Sequence, residues 1–73
     1  MNEEEKKERF RKIATNRTNK ILDTLRLLGN CSNTSNYSYT EEEVKKIFSA
    51  IEAEVKAQKV KFEKKEQRKK FIL

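Results

Sequence analysis

Basic and amide side chains recur on one side of the first predicted helix, and they are the groups of this chain best suited to bind a charged polymer. Lysine and arginine neutralise phosphates, and asparagine beside them can form hydrogen bonds with base edges. We expect Asp23 to be the only acidic residue among them. The sequence therefore predicts a nucleic-acid-binding surface, and an ordinary solvated helix surface is the alternative. This outward face consists of Arg9, Lys12, Asn16, Asn19, Lys20 and Arg26.

Two further features could extend this surface. Tyr37 lies in the segment after the first helix and could stack on an unpaired base. A basic cluster near the end of the chain includes Arg68, Lys69 and Lys70, and the chain has a net charge of +6. Because 41% of the residues are charged and both signs are present, the composition fits a solvated helical surface equally well.

Catalytic groups are scarce. The chain has no histidine, one cysteine and one glycine, so acid–base chemistry would depend on Glu, Lys or Tyr alone and no glycine-rich phosphate loop can form. Cys31 has no second cysteine in the chain with which to form a disulfide and is interpreted as an ordinary small side chain, with a reactive or intermolecular thiol as the alternative. We therefore expect no enzymatic activity, no cofactor and no metal site.

Two amphipathic helices are predicted to position these groups, at residues 2–28 and 40–70, joined by a polar loop at 29–39. Thr40 and Glu43 have the spacing of a capping box, in which each side chain bonds the backbone N–H of the other. Gly29 directly follows the last apolar position of the first helix. It is therefore predicted to end that helix in the left-handed conformation.

Each predicted helix has one apolar stripe. An antiparallel hairpin that places Leu28 opposite Val44 also places Phe10 opposite Phe62, so both stripes end together. We therefore predict an all-α fold, a single helical-hairpin domain over 1–73. The predicted interface residues are Phe10, Ile13, Arg17, Ile21, Leu25 and Leu28 on the first helix and Ile47, Phe48, Ile51, Val55 and Phe62 on the second.

A hairpin of this size covers each stripe only partly, and a chain of 73 residues is marginally stable by itself. We therefore predict a homodimer that forms a four-helix bundle. Arg17 lies within the first stripe and needs a partner, for which Glu54 and Gln58 are the candidates. Alternatively, Arg17 holds a phosphate or carboxylate. No apolar run is long enough for a membrane span or a secretory signal, which predicts a cytoplasmic protein.

One further pattern lies between Phe10 and Phe62. It consists of Arg17, Asn19, Lys20, Leu25, Leu28, Gly29, Asn30, Ser32, Asn33, Ser35, Asn36, Tyr37, Tyr39, Lys61 and Phe62. With this pattern the sequence resembles a group of small uncharacterised bacterial proteins from phages, plasmids and other mobile elements. The resemblance implies a mobile-element context, and it implies no activity.

Three hypotheses for function follow. The first is a dimeric accessory protein of a mobile element that binds nucleic acid through its first helix and basic tail. The second is a protein-interaction module, a regulator or inhibitor that recognises its target through the Asn/Ser/Tyr loop or through a seam on the second helix, formed by Ala50, Ala53, Ala57 and Val60. The third is a structural hairpin whose charges serve solubility alone.

Overall fold

The computed structural model describes the backbone of residues 1–69 and the side chains of residues 1–63. It contains helix α1 (Glu3–Gly29), a short 3-10 turn (Asn30–Ser32) and helix α2 (Glu41–Lys69), and no strand occurs within that range. The all-α prediction is therefore confirmed. The chain divides into two units, one of residues Met1–Ser38 and one that begins at Tyr39. None of the helices in the described part is both long and apolar enough to cross a membrane.

Helix α2 begins at the predicted capping box. The backbone N–H of Thr40 donates to Oε1 of Glu43 at 2.8 Å, and the backbone N–H of Glu43 donates to Oγ1 of Thr40 at 3.1 Å. These reciprocal bonds satisfy N–H groups that have no partner within the helix. The capping prediction is confirmed, and the helix starts one residue after Thr40.

Helix α1 also has a side-chain cap, at Asn2, which the sequence analysis missed. Oδ1 of Asn2 accepts from the backbone N–H of Glu5 at 2.8 Å, and three glutamates occupy the first turn at the positive end of the helix dipole. The pattern of Asn followed by Glu three residues later could have identified this cap.

The prediction that Gly29 ends α1 in the left-handed conformation is wrong. Gly29 has φ −58° and ψ −31°, which is right-handed, and it is the last residue of the helix. The chain continues in a right-handed conformation into the tighter 3-10 turn. The backbone N–H of Asn30 is shared among the carbonyls of Arg26, Leu27 and Leu28 at this point. The chain leaves the 3-10 turn at Asn33, which is extended.

The loop after the 3-10 turn is ordered by Asn33, whose side chain and backbone both accept hydrogen bonds from residues that follow it. Oδ1 of Asn33 accepts from the backbone N–H of Ser35 at 3.0 Å. The carbonyl of Asn33 accepts from the N–H groups of Asn36 and Tyr37, at 3.2 Å and 3.0 Å. One residue thus organises the turn that presents Tyr37.

Candidate nucleic-acid interface

The outward face is presented by the regular geometry of α1. All of its predicted members are exposed, and they lie on the side of the helix away from the apolar stripe. Steps of three, four or six residues between successive members, with one adjacent pair, keep them on that side over most of the helix. The single helix is therefore enough to present the whole set. The members are Arg9, Lys12, Asn16, Asn19, Lys20 and Arg26.

The charge on this face is less uniform than the sequence analysis expected. Arg26 forms an ion pair with Asp23, with Nη1 and Oδ1 3.0 Å apart and both side chains 72% exposed. A pair this exposed holds Arg26 only weakly, so a phosphate can compete for the guanidinium.

Two glutamates join the N-terminal end of the face. Arg9 and Lys12 line a shallow surface hollow together with Met1, Glu5 and Glu8. The prediction that Asp23 is the only acidic residue on this side is therefore wrong, because the helical repeat brings the first turns of α1 onto it as well. The cationic character is strongest from Lys12 to Lys20.

The remaining predicted binding residues fall into two groups. Tyr37 is 53% exposed in the loop, where its ring is accessible to a stacking partner. Helix α2 includes Arg68 and Lys69, but the structure describes only the backbone there. Lys70 lies outside the described residues.

The apolar stripes are exposed on both helices, and no described residue is buried. Among the predicted interface residues, Ile13, Leu28 and Ile51 are half-buried, whereas Phe10 and Phe62 are more than half exposed, at 57% and 68%. The exposed interface residues also include Ile21, Leu25, Ile47, Phe48 and Val55. Most of the apolar side chains in both stripes are therefore in contact with solvent.

Arg17 is exposed within the stripe of α1. Its two predicted partners are bonded to each other, since Nε2 of Gln58 donates to Oε2 of Glu54 at 2.6 Å. The ion pairs seen on α1 join Lys6 to Glu3 and Arg26 to Asp23. The pairing of Arg17 stays a prediction that belongs to the assembly.

Other chemistry is sparse in the described residues. They contain no cluster of acidic or thiol side chains able to hold a metal ion. Cys31 is exposed, and its Sγ lies 4.0 Å from the carbonyl oxygen of Leu27, a weak contact. A shallow hollow on α2 is lined by Ile51, Glu52, Val55, Lys56, Lys59, Val60 and Glu63.

No family model, curated protein or solved structure was found to match this chain. The resemblance to mobile-element proteins thus stays a prediction, and functional inference depends on the residues themselves.

Proposed function

We propose that this protein is a non-enzymatic accessory protein of a mobile element, located in the cytoplasm, that forms a homodimer and binds nucleic acid through the outward face of α1. The observation that supports binding is the exposure of every member of that face, with Lys12 and Lys20 in no ion pair among the described residues. Cations held in this way gain free energy when they displace the counterions of a nucleic acid. Arg68, Lys69 and Lys70 would extend the contact.

Assembly is supported by the uncovered stripes. Covering one large apolar side chain stabilises a fold by about 1.5 to 3 kcal/mol, and both helices leave several such side chains in water. Antiparallel pairing of α1 with α2, with Leu28 opposite Val44 and Phe10 opposite Phe62, would cover part of each stripe. A second copy would cover the rest in a four-helix bundle.

The same pairing gives Arg17 a partner. Arg17 would lie opposite Val55, one residue from Glu54. Because Glu54 already accepts a bond from Gln58, the three side chains could form a network that satisfies the guanidinium at the interface. The outward face of α1 would stay on the surface of such a bundle, which makes dimerisation and nucleic-acid binding compatible.

Fluorescence anisotropy at two salt concentrations, with duplex DNA, single-stranded DNA and RNA as probes, tests the binding function. We expect Lys12→Ala/Lys20→Ala to weaken binding by about tenfold or more at low salt. The slope of log affinity against log salt should become shallower by about 2, because each lost phosphate contact removes about 0.9 from it.

The matched control is Lys45→Ala/Lys56→Ala, which removes the same charge from α2. It should change affinity far less, because α2 is not part of the proposed binding face. Equal losses from both variants would show that bulk charge alone drives binding. Absence of binding to all three probes at low salt would eliminate the proposed function.

A second candidate function is a protein-interaction module. The observation that favours it is the hollow on α2, whose volume of about 460 Å³ is large enough to receive side chains of another protein and whose lining includes Ile51, Val55 and Val60. Tyr37, on the ordered loop, could provide an aromatic contact to such a target.

Affinity capture from a nuclease-treated lysate separates the two candidates. A protein retained by the wild type and lost with Val60→Asp, but kept by Ser49→Asp, would support the interaction module, because Val60 lines the hollow and is not part of the predicted hairpin interface. Retention that disappears after nuclease treatment would support nucleic-acid binding.

A further inference from the structure

A segment in the middle of α1 contains four uncharged polar residues, with Lys12 before them and Lys20 after them. They are Thr15, Asn16, Thr18 and Asn19, and the one charged residue between them, Arg17, lies on the side of the apolar stripe. Threonine and asparagine are poorer helix formers than the Ala, Glu, Lys and Gln that fill most of the described exposed positions of α2. Helix propensity therefore does not explain this choice at the centre of a 27-residue helix.

The amides of this segment are available to a ligand. Asn16 and Asn19 are exposed, three residues apart on the same side of the helix, and neither side chain forms a hydrogen bond with another described residue. By contrast, the side chains of Asn2 and Asn33 each accept a backbone N–H. The hydroxyl of Thr24 likewise donates to the carbonyl of Lys20.

The spacing of the flanking cations is compatible with the major groove of duplex DNA. Lys12 and Lys20 are eight residues apart, which is about 12 Å along a helix axis. The major groove of B-DNA is also about 12 Å wide and admits an α-helix. Cations at the two ends of the segment can therefore approach phosphates on either side of the groove while Asn16 and Asn19 face the bases.

Other nucleic acids fit this face less well. The major groove of A-form RNA is too deep and narrow for side chains to reach the bases. Single strands are bound chiefly by aromatic stacking, and the outward face of α1 has no aromatic residue.

We propose that the outward face of α1 enters the major groove of duplex DNA, where Asn16 and Asn19 bond base edges and Lys12 and Lys20 contact the flanking phosphates. This inference rests on the nucleic-acid-binding function proposed above and assigns its ligand as duplex DNA of a defined sequence. Asparagine bonds both N6 and N7 of adenine, so the bound site should present adenine in this groove. Each such contact discriminates against a wrong base by about 5- to 150-fold.

Selection from a pool of duplex DNA with a randomised centre tests the inference. The full-length wild type should enrich a sequence that contains adenine and bind it at least about fivefold more tightly than a scrambled duplex of the same composition. Asn16→Ala/Asn19→Ala should lose this preference while its affinity for the scrambled duplex changes by less than about threefold. Alanine is the better helix former, so the variant should stay helical by circular dichroism.

Two controls identify the groups involved. Asn36→Ala removes an exposed loop amide whose side chain has no hydrogen bond to another described residue, and it should keep the preference. Lys12→Ala/Lys20→Ala should weaken binding to the enriched and scrambled duplexes alike, because phosphate contacts do not depend on sequence.

The inference and the proposed function fail differently. Wild-type binding without sequence preference, tighter binding to single strands, or a preference that survives Asn16→Ala/Asn19→Ala would overturn the groove assignment and leave nucleic-acid binding in place. No binding to any nucleic acid at low salt would overturn both.

Discussion

The two helices have nearly the same length, 27 and 29 residues, but their outward faces are chemically different. Both have three glutamates in the first turn and one exposed apolar stripe. Helix α1 has eight Lys and Arg residues against five Asp and Glu, a net charge of +3. From Glu41 to Glu63, α2 has five Lys against six Glu, a net charge of −1.

Under the proposed function, this difference assigns assembly and recognition to different surfaces. A stripe is needed wherever a helix must be covered, and both helices have one. Amides placed between cations on an outward face are not needed for covering, and among the described side chains only α1 has them. The described amide of α2, Gln58, lies in the stripe of that helix and bonds Glu54. Helix α2 instead places alanines away from its stripe, which favours helix formation and offers little for recognition. We infer that α2 is mainly structural and that α1 has an additional binding role.

The largest effect is expected from a charge placed in the apolar stripe, the feature that both helices share. Ile21→Asp and Ile51→Asp each place a charge in one stripe, and a carboxylate buried there without a partner should destabilise the assembly by about 3 to 5 kcal/mol. Both variants should therefore lose helix and dissociate at concentrations where the wild type is assembled. Circular dichroism and sedimentation equilibrium over a concentration series measure these changes.

The matched controls place the same charge elsewhere on each helix, in Thr18→Asp and Ser49→Asp. Both positions are exposed and outside the stripes, so these variants should keep the mass of the wild type. If Ile21→Asp and Ile51→Asp also kept full helicity and unchanged mass, the stripes would not form the interface. If only one of the two variants lost helicity and dissociated, one helix alone would form the interface.

A smaller effect compares the two helix starts. Thr40→Ala and Asn2→Ala each remove a capping acceptor and should each lower the free energy of unfolding by about 1 kcal/mol in urea titrations. The caps differ because Thr40 and Glu43 bond each other reciprocally, whereas Asn2 accepts from the backbone of Glu5.

Double-mutant cycles detect that difference. Thr40→Ala combined with Glu43→Ala should reveal a coupling of about 0.5 kcal/mol or more, and Asn2→Ala combined with Glu5→Ala should be close to additive. Equal coupling at both starts would mean that the reciprocal bond contributes nothing beyond the single one.

Features that depend on the spacing of residues within one helix could be predicted from the sequence. Features for which the same residues allow more than one structure could not. The helical period and the Thr40 to Glu43 spacing each allow one interpretation, and the structure confirmed the two helices and the cap. The placement of Glu5 and Glu8 beside Arg9 and Lys12 follows from the same helical period, because residues three or four apart lie on the same side of a helix. The partner of Arg17 depends on which surfaces meet, which no local pattern determines.

Gly29 gives the smallest effect and shows why a local rule can fail. Glycine adopts right- and left-handed conformations with similar ease, so its position after an apolar residue does not determine how the helix ends. A Cβ added to the observed right-handed conformation would meet no atom within 4 Å beyond its chain neighbours and the backbone of its own helix. Gly29→Ala should therefore raise the free energy of unfolding by about 0.5 to 1 kcal/mol, because alanine loses less backbone entropy.

A left-handed Gly29 would reverse the sign, since alanine there would cost about 1 to 2 kcal/mol. Gly29→Asn makes the test a ranking, because asparagine tolerates the left-handed conformation better than alanine and is a poorer residue in a helix. Stability in the order Ala, Asn, Gly, measured by urea titration, would support a helix that continues through Gly29 into the 3-10 turn. The order Gly, Asn, Ala would support a left-handed end, and the turn after α1 would then present Tyr37 differently.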